Sequence, residues 1–233
     1  VTSNDLRPAS AIARQYGVKA LVFGPPGQGK TPVMLTAPRP VACLIEPGFA
    51  SIRKTNLPMW VATEYARLDE FVTWATQSKD ARNFDTFFFD SGSQAAQNIE
   101  ETERPKHKDG RKMFYQVQIQ MWALFNRMYM AQNAHVVMIA KETTLEDGRI
   151  VPMFPSKKIT RDMTHLFDLN ARFCRINFGG TPTACFQCLQ GYDLHMEIRS
   201  RYGETMPDGS YREYLSQYEP PNYQSLFNKA MEL

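Results

Sequence analysis

Residues 24–31 read Gly24-Pro25-Pro26-Gly27-Gln28-Gly29-Lys30-Thr31. This is the full G-x-x-x-x-G-K-[ST] spacing of a loop that holds phosphate. Glycines let the backbone curl, so that successive N–H groups point inward at phosphate oxygens. In such a loop Lys30 reaches the β- and γ-phosphates as a positive charge, and the Thr31 hydroxyl serves Mg²⁺. The expected ligands are therefore a nucleoside triphosphate, which the resemblance given below makes ATP, and Mg²⁺. A helix opening after the loop presents its N-terminus to the anion. Pro32 departs from the usual pattern. It has no N–H, which removes a donor that commonly meets the α-phosphate, although the first turn of a helix tolerates proline.

A cradle of this kind needs a carboxylate at the end of a neighbouring buried strand to orient Mg²⁺ through water. Asp90, after Phe87-Phe88-Phe89, has that place, whereas Asp85 opens the same run and belongs at its far end. The plain alternative for Asp90 is a helix N-cap, for which Ser91 and Ser93 compete. Glu46 ends the apolar run Val41 to Ile45, where a carboxylate could polarise an attacking water. Its alternative is an exposed turn glutamate before Pro47-Gly48. Lys141 follows the run Val136 to Ala140. If that strand lies beside the cradle strand, Lys141 is placed to sense the γ-phosphate; otherwise it is a surface lysine.

These residues need an α/β frame. Lys19 to Phe23, Val41 to Ile45, Asp85 to Asp90 and Val136 to Ala140 read as strands, with Trp60 to Ala62 as a further short one. In Asp85 to Asp90, Phe87-Phe88-Phe89 are apolar without alternation, which is the pattern of a strand buried on both faces. Asp69 to Ser78, Ser93 to Glu101 and Met113 to Asn133 read as helices between them. Strand and helix patterns in alternation predict a mostly parallel sheet with crossover helices. Beyond residue 141 the pattern changes. A hairpin is expected around Asp147-Gly148, then a short helix from Arg161 to Phe167 and strands at Ala171 to Phe178 and Leu194 to Arg201. A turn-rich stretch from Glu204 to Pro221 precedes a closing helix from Tyr223 to Met231.

The chain of 233 residues, 43% hydrophobic and 22% charged, suits one globular domain with a sizeable core. That domain spans 1–233, with 1–17 as a lead-in segment and 204–233 as a tail and helix. The net charge of +3 permits nucleic acid as a partner without arguing for it. Residues 1–15 hold no apolar signal core, and no apolar run nears the roughly 20 residues that span a bilayer. The expectation is a cytoplasmic protein with no membrane partner. Cys185-Phe186-Gln187-Cys188 is a single C-x-x-C pair with only Cys174 and His195 near it in sequence. That falls short of a structural zinc set.

With these pieces placed, the chain resembles the RecA-like ATPase core. The resemblance is closest to short phage-encoded nucleotide-binding proteins of recombination and single-strand annealing. It rests on Gly24 to Thr31, Ile45-Glu46-Pro47-Gly48 with Ala50-Ser51-Ile52-Arg53, Phe89-Asp90-Ser91 and Ile139-Ala140-Lys141. Leu166-Phe167-Asp168 with Arg172, and Ile198-Arg199-Ser200-Arg201, are weaker echoes. The fold class implied is a RecA-like, mostly parallel sheet flanked by helices, extended by a β-rich C-terminal part of the same sheet. The resemblance makes Glu46 the catalytic carboxylate and Asp90-Ser91 the second acidic motif. RecA-like relatives more often carry glutamine, asparagine or histidine at the position of Lys141.

The resemblance also implies that loops at 102–113 and 142–161 face single-stranded DNA. The first carries Arg104, Lys106, His107, Lys108, Arg111 and Lys112; the second carries Arg149, Lys157, Lys158 and Arg161, with Phe154 among them. Such clusters neutralise phosphates, and an aromatic ring can stack on a base. Read without the resemblance, they are solvated surface loops. A homo-oligomeric ring or filament is implied, with Arg199 or Arg201 acting on a neighbour's site. The resulting expectation is a slow, DNA-modulated ATPase of phage-type recombination or annealing. A small-molecule kinase and a non-hydrolysing ATP-dependent replication accessory module are the alternatives.

Overall fold

The computed structural model describes residues 7–13, 15–46, 48–190 and 196–232. Helix α1 (Ala9–Ala13) precedes strand β1 (Lys19–Gly24), which runs into the glycine-rich loop and a 3₁₀ turn, Pro32–Thr36. Then come β2 (Pro40–Leu44), α2 (Phe49–Ile52), β3 (Met59–Val61), α3 (Tyr65–Gln77), β4 (Thr86–Asp90), α4 (Gly92–Glu103) and α5 (Gly110–Tyr129). The second half holds β5 (His135–Thr144), β6 (Ile150–Pro152), α6 (Lys157–Leu166), β7 (Leu169–Phe178) and β8 (Thr181–Gln187). It ends with β9 (Arg199–Ser200), β10 (Gly203–Thr205), β11 (Tyr211–Glu213), β12 (Tyr218–Glu219) and α7 (Tyr223–Ala230).

The main sheet has the order β12-β8-β7-β1-β5-β4-β2-β3. From β7 to β3 the neighbours are parallel, while β8 and β12 extend the sheet antiparallel beyond β7. The apolar runs explain this. Successive strand residues point to opposite faces, so each central strand feeds two cores. Leu21, Phe23, Phe87, Phe89, Val136 and Met138 pack with α3, α4, α5 and α6. Ala20, Val22, Phe88, Val137 and Ile139 pack with the 3₁₀ turn and α7.

Local signals set the helix starts. Ser91, Asp109, Ser156 and Asn222 each accept a backbone N–H at the N-caps of α4, α5, α6 and α7. The hairpin around Asp147-Gly148 is the β5–β6 connection, with Glu142 opposite Pro152 and Thr144 opposite Ile150.

Several expectations change. The cradle is followed by a single 3₁₀ turn of five residues rather than an α-helix. Helix α6 starts at Lys157, because Ser156 caps it, so Lys157, Lys158 and Arg161 belong to a helix and not to a loop. The segment 102–113 is also ordered, as the end of α4, a 3₁₀ turn at Arg104–Lys106 and the start of α5. Strands β10 and β11 form a separate two-stranded sheet. The lead-in holds α1, and of the expected strand Leu194 to Arg201 the described part gives the short strand Arg199–Ser200 and a single bridge from Met196 to Ile150, residues 194 and 195 lying outside the described residues. Among the described residues no helix is long and apolar enough to cross a membrane.

Candidate nucleotide-binding site

The carboxyl ends of β1, β5, β4 and β2 meet at one edge. Gly24 stands beside Lys141, and Asp90 stands between Ile139 and Leu44. A crevice outside the carboxyl ends of parallel strands is where open α/β sheets bind ligands. Asp90 ends β4, Glu46 follows the end of β2, Lys141 lies within β5 level with Gly24, and Lys30 and Thr31 sit on the loop that leaves β1.

The cradle is shaped by its glycines. A Cβ on Gly24 would lie 2.2 Å from the Phe173 carbonyl oxygen on β7. Gly27 and Gly29 have φ of 74° and 95°, a region that side chains disfavour. The Lys30 ammonium donates to the Gly24 and Pro25 carbonyls at 2.8 and 2.7 Å, folded back over its own loop. Burial pushes its pKa down, while Asp90, Glu142 and Glu46 push it back up.

Thr31 Oγ1 donates to Asp90 Oδ2 at 2.7 Å, although the two residues are 59 positions apart. Burial raises the pKa of the Asp90 carboxyl, against the Thr31 hydrogen bond and the Lys30 charge. A desolvated carboxylate touching a hydroxyl is a hard-oxygen set that suits Mg²⁺. The buried Gln28 side-chain oxygen has no hydrogen-bond partner among the described residues, so the cradle holds polar capacity that its own atoms do not use. The residues present fit a magnesium nucleotide.

Glu46 is held at both oxygens. Lys141 Nζ lies 3.1 Å from Oε1, and the Ser91 hydroxyl donates to Oε2 at 2.9 Å. The Ile45 and Glu46 N–H groups donate to the Asp90 carbonyl at 2.7 and 3.2 Å, which fastens the end of β2 to the end of β4. Lys141 is fixed through its backbone. Its N–H donates to Ser93 Oγ at 3.0 Å, Ser93 Oγ donates to the Met153 carbonyl at 2.8 Å, and the Met153 N–H donates to the Lys141 carbonyl at 2.7 Å. The root of the β5–β6 hairpin is thus tied to the residue that grips Glu46.

Sequence reasoning missed the roles of Ser93 and Glu142. Arg172 meets Glu142 through two hydrogen bonds, at 2.8 and 3.0 Å, beside the cradle. Only the order β7-β1-β5 brings these two together, and no local spacing announces it.

The basic residues divide. Lys106 and His107 are drawn to Glu103, at 2.7 and 3.2 Å, and Arg104 pairs with Glu100. Lys108, Arg111 and Lys112 stay exposed where α5 begins. Arg149 pairs with Asp147 and Glu197, at 2.9 and 3.1 Å. The Lys158 ammonium sits 5.9 Å from the centre of the Tyr115 ring.

Arg199 and Arg201 lie at the other end of the sheet from their own cradle. The Arg201 N–H reaches the Asp168 carbonyl, and the Asp168 N–H reaches Lys19, where β1 begins. The Arg199 guanidinium donates to the Thr164 and Phe167 carbonyls, and Arg201 pairs with Asp168 at 3.1 Å. The cysteines are all free and buried. Cys174 stands opposite Cys185 across β7 and β8, and burial pushes the Cys185 thiol up to about 12. Among the described residues no group of three or more His, Cys, Asp or Glu side chains could hold a metal ion; His195 lies outside them.

A parallel sheet with this cradle at the end of β1, and an acid two strands away across β5, defines a P-loop domain of the nucleoside-triphosphatase class. Within that class the chain matches the AAA domain over residues 16–181, most of its length, and belongs to that family. Among solved structures it is similar to the RadB recombinase, at 14% identity and a TM-score of 0.47, over 85% of this chain and 91% of that one. No curated protein sequence matches it significantly.

Proposed function

We propose that the protein binds ATP·Mg²⁺ in the cradle, hydrolyses it slowly, and uses the bound nucleotide to tune its grip on single-stranded DNA in phage-type recombination or annealing. The contact that carries the nucleotide reading is Thr31 to Asp90 at 2.7 Å, which joins the end of the cradle to the acid of β4. Mg²⁺, when bound, neutralises charge on the β- and γ-phosphates; Thr31 would hold it directly and Asp90 through water. Lys30 turns from the Gly24 and Pro25 carbonyls to the phosphates. Glu46 takes the role of orienting the attacking water and accepting its proton. The Lys141 ammonium and the Ser91 hydroxyl occupy both its oxygens, so an attacking water has to displace one of them, which supports a slow turnover.

The DNA reading draws on the resemblance and on Lys141. A γ-phosphate that attracts the Lys141 ammonium acts on the same residue whose backbone fixes the root of the β5–β6 hairpin. The proposed setting is the cytoplasm of a bacterial host, with subunits in a ring or filament. The test is fluorescence anisotropy of a labelled single-stranded oligonucleotide, with and without ATP·Mg²⁺, for the wild type and Lys30→Ala. ATP is expected to shift affinity in the wild type alone, and binding is expected to weaken with salt. An oligonucleotide that stays free under every nucleotide condition overturns the DNA reading.

A further inference from the structure

The foot of β1, at the end of the sheet away from the cradle, borders a cavity of about 510 Å³. That lies within the range of small-ligand sites. Its lining is mostly apolar, with contributions from Ile12 of α1, Met130 after α5 and Met231 after α7. Lys19, Tyr129, Asp168 and Tyr202 bring polar groups to it. Asp168 is already engaged, since it accepts the Tyr129 hydroxyl at 3.0 Å and pairs with Arg201 at 3.1 Å. Lys19 is less well served, although it is only 1% exposed. An ammonium carries three N–H groups. Two donate to the Ala131 and Ala134 carbonyls, at 2.9 and 2.7 Å, and the third meets no acceptor among the described residues. Lys19 also forms no ion pair among them. The Tyr202 hydroxyl accepts the Lys19 N–H at 3.1 Å, and its own proton is likewise uncommitted among the described residues. Lys19 and Arg201 thus set two cations against the one carboxylate of Asp168. A buried ammonium without a counter-ion of its own is costly. Burial accordingly pushes its pKa from 10.5 down to about 7, against the pull of Asp168. A carboxylate in the cavity supplies the missing counter-ion, and an apolar body attached to it fills the remaining space.

We propose that this cavity binds a small amphipathic monocarboxylate, with its apolar body against Ile12, Met130 and Met231 and its carboxylate on the Lys19 ammonium and the Tyr202 hydroxyl. The site stands apart from the cradle and does not rest on the nucleotide or DNA reading. It is also sensitive to pH. The groups around Lys19 are Asp168 before β7, His135 at the start of β5, Tyr129 of α5, and Arg201 and Tyr202 after β9. Burial pushes His135 down to about 4 and the two tyrosines up, so all three stay neutral around pH 7 while Lys19 changes charge there. A carboxylate is therefore held on the acid side of that point and released on the basic side.

The experiment is calorimetry of the full chain with octanoate, at about pH 6 and about pH 9, either side of the Lys19 pKa of about 7. Octanol and octylamine are the comparison probes, which keep the chain and change the head group. Octanoate is expected to bind at the lower pH, with octanol about tenfold weaker for want of the charge-assisted contact and octylamine weaker still. Octanoate affinity is expected to fall about tenfold at the higher pH, although its carboxylate is ionised at both. Lys19→Met should lower the affinity by a similar factor and remove the pH dependence. Ile12→Asp places a like charge in the apolar wall and should also weaken octanoate about tenfold. Helix α1 has no buried residue, so this variant keeps the fold and, with the wild-type pH profile, carries the test if Lys19→Met does not fold. Absence of octanoate binding at the lower pH overturns the site. So does binding that is indifferent to Ile12→Asp, or equal at the two pH values. Octanol or octylamine bound as tightly as octanoate overturns the role of Lys19 and with it the carboxylate.

Discussion

Single residues decide whether the crevice can work. Gly24 has no room for a side chain, since a Cβ would sit 2.2 Å from a β7 carbonyl that cannot move without parting the sheet. Gly24→Ala should cost about 3 kcal/mol, the upper part of the range for overpacking, and a urea titration of the variant measures it. Lys141 faces a choice between Glu46 and a γ-phosphate. Lys141→Met frees Glu46 from its ion pair and removes the charge that would tell ATP from ADP. The expected result is ATP affinity about tenfold lower, from loss of a charge-assisted contact, with ADP affinity unchanged. Titration of fluorescent ATP and ADP analogues reads this without reference to turnover. Equal weakening for both nucleotides would mean that Lys141 only supports the loop.

At the level of elements, the junction of β5 and α7 responds to pH. His135 opens β5, its ring stacks on Phe227 of α7 at 4.1 Å, and its Nδ1 accepts the Val18 N–H at 3.0 Å. A proton on that nitrogen has no place. Burial first, and the Lys19 charge second, push the pKa from 6.5 down to about 4, against Asp85. Above pH 6.5 the ring is neutral in both the folded and unfolded chain. As pH falls from 6.5 to 4 the unfolded chain takes up a proton that the folded one refuses, so stability declines and then levels off. His135→Gln should flatten this part of the stability curve relative to wild type, as followed by denaturant midpoints. The strands that hold the crevice were legible in the sequence, because Leu21 to Phe23, Phe87 to Phe89 and Val136 to Ala140 are apolar runs next to unmistakable turn or acid residues. The start of α6 was not, although Ser156 before Lys157 was a usable capping signal; the basic residues drew the segment toward a loop. Strands β10 and β11 are three residues each and largely exposed, and they carry too little apolar pattern to be seen. The grip of Lys141 on Glu46 depends on which strands are neighbours, a fact of topology that spacing alone does not contain.

For the whole molecule, the question is whether one subunit suffices. Arg199 and Arg201 lie far from their own cradle and donate to the Thr164 and His165 carbonyls at the end of α6. If they serve a neighbour's nucleotide, ATPase activity per subunit rises with protein concentration, and Arg201→Ala lowers the plateau. Full activity in the assembled state for both alanine variants removes them from the mechanism. Arg199→Ala should also lose about 1–3 kcal/mol of stability, because its charge-assisted bonds to the Thr164 and Phe167 carbonyls are intramolecular; a thermal melt separates this from any loss of turnover. The buried cysteines have a different consequence. With Cys43, Cys174, Cys185 and Cys188 all enclosed and their thiols pushed toward the neutral form, the native surface offers alkylating reagents no ready target. A cysteine introduced at Asp147, on the exposed tip of the β5–β6 hairpin, would be the fast-reacting thiol of the folded chain, and a dye attached there would report directly on what that hairpin touches.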